Sequence, residues 1–429
     1  MKILSYFMLL FLIEACSPSD IPLTESNITL SSLSPLHGPA ETIVTLKGSG
    51  FNSADPIDSV QFNGKTATII SRSDTTLSAK VARLSGTGSI TVWRNGVSLS
   101  GLNFIYDTTL IVSTIGGTGV EEFADGPAAV SKFRLPTGIV VDDAGNVFVA
   151  DINVIRKITP DGIVSTFAGN PFDQGHIDGI GGAARFVEIR GMAIDSANNI
   201  YAADPSTNRI RKITPSAQVT TFAGTNNSGS VDGPVAIATL NQPYGLAVDQ
   251  FNNVYVAEVV GRKIRKISNG IVSTIAGDGT FNGVDGPASS ASFFNPSDVA
   301  IDGFGNLFVT ELNGHRVRKI SGGLVTTFAG TTTPGSQDGT GLNAKFSSLT
   351  GIITDKNNNI YVADNENNAI RKISQEAIVK RILGGGAGDV DGPHPFASFR
   401  GTYAVAIDKY GNFYITDYRN HKVRKASIN

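Results

Sequence analysis

From residue 138 onward, apolar and polar positions alternate in short runs, and the runs recur as copies. The copies open at Gly138, Gly191, Gly245, Asp298, Gly351 and Ala404, so the step is 53 or 54 residues. In the third copy, GLAVDQFNNVYVAEVVGRKIRKI, period-two alternation predicts strands at 245–249, 254–257 and 263–267, with a fourth at 272–277. An Asn/Gly-rich turn separates the first two. Strands this short, joined by tight turns, make an antiparallel meander with two uncovered apolar faces. Stacking six meanders around an axis covers both faces, so the pattern predicts a six-bladed β-propeller with four-stranded antiparallel blades.

Counting fourth strands gives the closure. They begin at Val112, Val164, Val219, Val272, Val325 and Val379. The first precedes every copy, and the last copy has none after it. Leu110–Gly116 is therefore expected as the outer strand of the last blade, which removes an open edge. The first copy is two residues short between Asp151 and Arg156, so a tighter turn is expected there. The long stretch between blades also repeats: an Asp-Gly step, then a small residue, then Phe133, Phe186, Leu240, Phe293, Phe346 or Phe399. It reads as a turn, a short helical turn and an apolar anchor.

Residues 27–106 carry about seven short apolar runs separated by turns such as Asn63-Gly64 and Asn95-Gly96. That density predicts an immunoglobulin-like β-sandwich. Trp93 sits in an alternating run and is expected in its core.

Two resemblances follow. The strand carrying Gly-hydrophobic-x-hydrophobic-Asp, the strand ending Val-Ala-Asp and the Arg-x-Arg-Lys-Ile strand, six times in order, resemble NHL repeats over 108–429. Pro35, Gly38, Gly48, Gly50 and Phe51 resemble the opening of an IPT/TIG domain over 27–107. The second resemblance implies a spacer or a module that contacts protein or glycan.

Charge adds exclusions. The 429 residues hold 35 Lys+Arg and 37 Asp+Glu, a balance that disfavours nucleic acid as a partner. Residues 1–15 read as a signal segment: Lys2 precedes an apolar run at 3–13, too short to span a bilayer. The run ends before Ala15 and Cys16, the single cysteine, which resembles a bacterial lipoprotein signal. The expectation is lipidation at Cys16, a tether over 16–26, and anchoring in the bacterial cell envelope at the outer membrane or cell surface. The other reading is a plain secretory signal with an incidental cysteine and a secreted protein.

Three acid sets repeat in every blade: Asp142 and its equivalents, Asp151 and its equivalents, and the Asp-Gly set beginning at Asp125. A unique site needs no sixfold repetition, so turn capping and pairing with the repeated arginines (Arg156, Arg211, Arg265, Arg318, Arg371, Arg424) explain them better than calcium. The five histidines show no metal-ligand spacing, and no nucleophile elbow is present. No catalytic residue, metal ligand or cofactor is assigned. What breaks the repeat is the position before each first strand: Thr137, Arg190, Tyr244, Ser297, Thr350, Tyr403. Arg190, Tyr244 and Tyr403 offer donors and stacking surfaces and are the expected ligand-binding residues. Phe172, His176, Phe281, His394 and Phe396 are expected on loops of the same face. The expected function is binding of a protein or glycan ligand. The alternatives are a metal-dependent lactonase- or lyase-type enzyme and an architectural envelope protein.

Overall fold

The computed structural model describes residues 28–38, 42–52, 55–82, 85–106 and 110–428. The expected signal, Cys16 and the tether lie outside these residues. The chain divides into two units, Met1–Thr108 and Thr109–Asn429.

In the first unit, the strands lie in the order Thr29–Ser34, Ile43–Ser49, Thr76–Lys80, Lys65–Arg72, Ser59–Phe62, Gly88–Arg94, Val97–Tyr106, His37–Gly38. Alternation buries Val44, Leu46, Val60, Phe62 and Leu77 completely, and Phe62 meets Phe104 edge-on at 5.3 Å. Trp93 corrects the core expectation. Ile90 and Val92 take the inward side of their strand, so period two sends Trp93 to the other side, where it is half-buried.

In the second unit, six sheets surround an axis. Their axial strands are Pro136–Val141, Met192–Ile194, Pro243–Val248, Pro296–Ile301, Leu349–Thr354 and Thr402–Ile407, which number blades one to six. Blade three continues outward through Val254–Glu258, Lys263–Ser268 and Ile271–Ala276. Each blade is the expected four-strand meander plus a two-residue outermost strand at the Asp-Gly step, here Gly233–Pro234 paired with Ile271 and Val272. In blade six the fourth strand is Leu110–Gly116, which pairs antiparallel with Lys422–Ile428.

Period two builds the inter-blade cores. In blade three, Val254 and Val256 pack toward blade two, and Tyr255 and Ala257 pack toward blade four. The same layer joins the ends of the ring, where Phe133, Ile139 and Val149 pack on Ala406, Tyr414 and Val423.

The repeated polar residues are architecture. Asp249 accepts the backbone N–H of Asn253 at 2.8 Å and its side-chain amide at 2.7 Å, capping the first turn. Arg265 is fully buried. It donates to Glu258 Oε1 at 2.7 Å and to Asp232 Oδ1 at 2.6 Å, while Asp232 Oδ2 accepts the Thr274 N–H at 3.0 Å. One guanidinium thus ties the second strand, the long loop and, through Asp232, the fourth strand. Blade two varies this: Arg211 pairs with Asp178, while Asp204 accepts the N–H groups of Val187 and Glu188. All six arginines are buried, so they present no basic face.

The turns between second and third strands hold Asn208, Arg262, His315, Asn368 and His421 at positive φ, the left-handed region that Asn adopts most readily. His315 Nδ1 accepts the Ser348 N–H there. In the shortened first copy the turn is two residues, with Ile152 at φ 58°.

Candidate functional site: the channel mouth and the chamber beneath it

The axial strands begin at one end of the central channel, called the mouth here. In five of the six blades, the pairing of axial and second strand slips near that end, as between Pro243 and Leu246. Such a bulge frees backbone groups and re-aims side chains. The six residues that break the repeat sit at this place and divide into two kinds.

Thr137, Ser297 and Thr350 reach sideways. Their hydroxyls donate to a backbone carbonyl of the following blade: to Ile189 and Leu349 at 2.9 Å each, and to Tyr403 at 2.5 Å. They clamp neighbouring blades. Arg190, Tyr244 and Tyr403 reach inward and meet. The Tyr403 hydroxyl donates to the Tyr244 hydroxyl at 2.9 Å, joining opposite blades across the channel. Arg190 Nη1 approaches Tyr403 Oη at 3.4 Å, and its guanidinium lies 5.6 and 5.9 Å from the two ring centres. Arg190 also forms an ion pair with Glu188. Tyr403 is stacked against Tyr418 at 5.3 Å. Burial, reinforced by Tyr244, pushes the Tyr403 phenol well above its ordinary pKa, so it stays protonated and can donate.

The structure therefore brings the three expected residues together as a bridge over the mouth rather than an open rim. The loop residues do not all join them. The long inter-blade loop descends the outer edge of the blade and returns. Phe172 and Phe281 follow fourth strands at the mouth end, whereas His394 donates its N–H to Leu110 O at the far end, with Phe396 close by in sequence.

Below the bridge lies a chamber of about 220 Å³. Its wall is the axial strands, with Val141, Ile194, Val248, Ile301, Thr354 and Ile407 as their last channel-lining residues. At the position held by glycine in blades one, two, three and five, blade four has Asp298. Its carboxylate accepts the N–H of Val299 at 2.8 Å, of Ile352 at 3.0 Å, and of Leu246. Asp298 is deeply enclosed yet keeps part of its surface on the channel, and burial pushes its pKa up to about 7. Among the described residues no three His, Cys, Asp or Glu side chains gather as a metal site.

Sequence reasoning missed Asp298 and Glu188. The signal for Asp298 was its place as the one charged opening letter among the six copies. Glu188 had none, because loop positions outside the repeat carry no periodic expectation.

Fold and channel together define an NHL-type six-bladed propeller that follows an immunoglobulin-like domain in the chain. Residues 29–106 match the IPT/TIG domain family. The chain is homologous to NHL repeat-containing protein 2 of Gallus gallus, 28% identical over 268 residues, covering 53% of this chain and 37% of that protein. It is 29% identical to Teneurin-4 of Mus musculus over 226 residues, covering 46% of this chain and 8% of that protein. The matches thus span well under two thirds of these relatives' own lengths. A solved structure of an auxiliary nutrient binding protein from Bacteroides ovatus shares the fold, with a TM-score of 0.62, 16% identity, and coverage of 94% of this chain and 99% of that one.

Proposed function

We propose that this protein is a binding module of the bacterial cell envelope, anchored through a lipid at Cys16, which engages a protein or glycan ligand at the channel-mouth face. The observation that carries the reading is the convergence of Arg190, Tyr244 and Tyr403. These large residues break the sixfold pattern and gather at one place, where they offer a guanidinium, two phenols and aromatic faces. The Bacteroides ovatus protein of the same fold is called an auxiliary nutrient binding protein, a binding role of the kind proposed here.

Glycan-array and envelope-extract capture with the full chain test it. The triple variant Arg190→Ala, Tyr244→Ala, Tyr403→Ala is expected to lose whatever wild type retains. Full retention discards the mouth, and blank screens for wild type favour an architectural protein. Stoichiometric calcium or zinc in the purified protein would instead favour the lactonase or lyase reading. The anchor is checked separately: Cys16→Ser should move the protein from the membrane fraction to the soluble one.

A further inference from the structure

We propose that the chamber beneath the tyrosine bridge binds a small organic ammonium ion, with the charged nitrogen on Asp298 and the hydrocarbon part against the aliphatic wall. The inference starts from a carboxylate that the fold does not require. Glycine in four blades and Ala404 in the sixth do the architectural work of this position without any charge. Placing a carboxylate there costs desolvation that nothing in the wall repays with an opposite charge.

The charges facing the chamber are few. Its titratable lining residues are Arg190, Tyr244, Asp298 and Tyr403. The axial strand of blade three contributes only Tyr244, and that of blade five contributes none. Arg190 already has Glu188 as its counter-ion. Asp298 has backbone N–H partners and no cationic side chain among the described residues. The chamber is therefore short of one positive charge.

The surroundings choose the kind of cation. A calcium ion takes six to eight oxygen ligands, and magnesium about six. The chamber offers one carboxylate beside aliphatic side chains, which suits neither. An ammonium group on an apolar tail fits both parts. Asp298 accepts its N–H, the phenol rings of Tyr244 and Tyr403 present faces that attract cations, and the strand-end ring of Val248, Ile301 and Ile407 covers the tail. A dry apolar cavity of ~150 Å³ holds benzene, so the chamber admits a ligand of roughly six to ten non-hydrogen atoms.

This inference shares the bridge with the mouth-face reading but rests on a different residue, so the two fail separately. Calorimetry of the full chain with n-pentylamine at pH 8 tests it, with 1-pentanol and pentanoate as controls. Wild type is expected to bind the amine with one-to-one stoichiometry and the controls at least tenfold more weakly. Asp298→Gly, which installs the repeat's own residue, and Asp298→Asn should each weaken amine binding at least tenfold while melting cooperatively. Wild type should also lose affinity as pH falls below about 7, where Asp298 takes up its proton. Absence of amine binding by wild type, equal affinity for pentanol, or unchanged affinity in a folded Asp298 variant overturns the proposal. Loss of macromolecular capture in the triple mouth variant leaves it standing, provided Asp298-dependent amine binding persists.

Discussion

Asp298 has a consequence for stability whatever the chamber binds. The folded chain holds its proton up to pH about 7, while the unfolded chain releases it near the ordinary 3.8. The contribution is therefore complete below the unfolded value and is lost as pH rises through 7, by at most about 4 kcal/mol. Urea midpoints of wild type against Asp298→Asn should diverge in the variant's favour between pH 5 and pH 8. Parallel pH curves would contradict this. Gly245 faces the same residue from blade three: a Cβ there would run into the backbone and carboxylate of Asp298. Gly245→Ala should cost ~2 kcal/mol or more by overpacking, read as a lowered thermal midpoint. Much of this site was legible. Arg190, Tyr244 and Tyr403 stood out because they break a period. That they would be spent on one another was not legible, because a contact between residues 159 positions apart depends on ring geometry. Asp298 lay in plain view inside a strand pattern that drew attention to its apolar neighbours. Trp93 shows the converse: the sequence displays the alternation of its strand, but not which side of the sheet faces the core.

At the scale of the strand and loop, the buried arginines hold each blade together. Arg265→Met should cost about 3–5 kcal/mol, because it leaves Glu258 buried without its cation and Asp232 without its anchor. Arg265→Lys should rescue only part, since one ammonium cannot reproduce the two directed arms of the guanidinium. Thermal melts of the two variants decide, and equal stability of Lys and wild type would refute the two-arm account. The acid and arginine sets could be assigned to architecture from repetition alone. The course of the long loop could not. Its path down the edge of the blade is set by Asp232 reaching Arg265 and Thr274, bonds between residues 33 and 42 positions apart. That path is why His394 lies far from the mouth although it belongs to the same kind of loop as Phe172.

For the whole molecule, closure is the feature on which the rest depends. Deleting Leu110–Gly116 exposes the edge of Lys422–Ile428 and takes Val112 out of the core it shares with Tyr361, Leu383 and Ala426, so the unfolding midpoint should fall and light scattering should rise. A fragment beginning at Thr109 should unfold in a single cooperative melt, because residues 109–429 form a compact unit of their own. The blade count and the permuted order were legible because each strand type could be tallied along the chain. The same permutation sets a timetable for biosynthesis. The strand at 110–116 is made early, and its partner at 422–428 follows only after the whole intervening chain. At roughly 5–20 residues per second, that interval is on the order of tens of seconds. During it, five blades can be assembled while the sixth holds only the strand at 110–116 of its four, and a nascent chain stopped short of Lys422 would still leave that strand without its partner. Ribosome pausing or premature release short of Lys422 should therefore be disproportionately harmful to this propeller, and a factor that shelters the waiting strand would act before any ligand does.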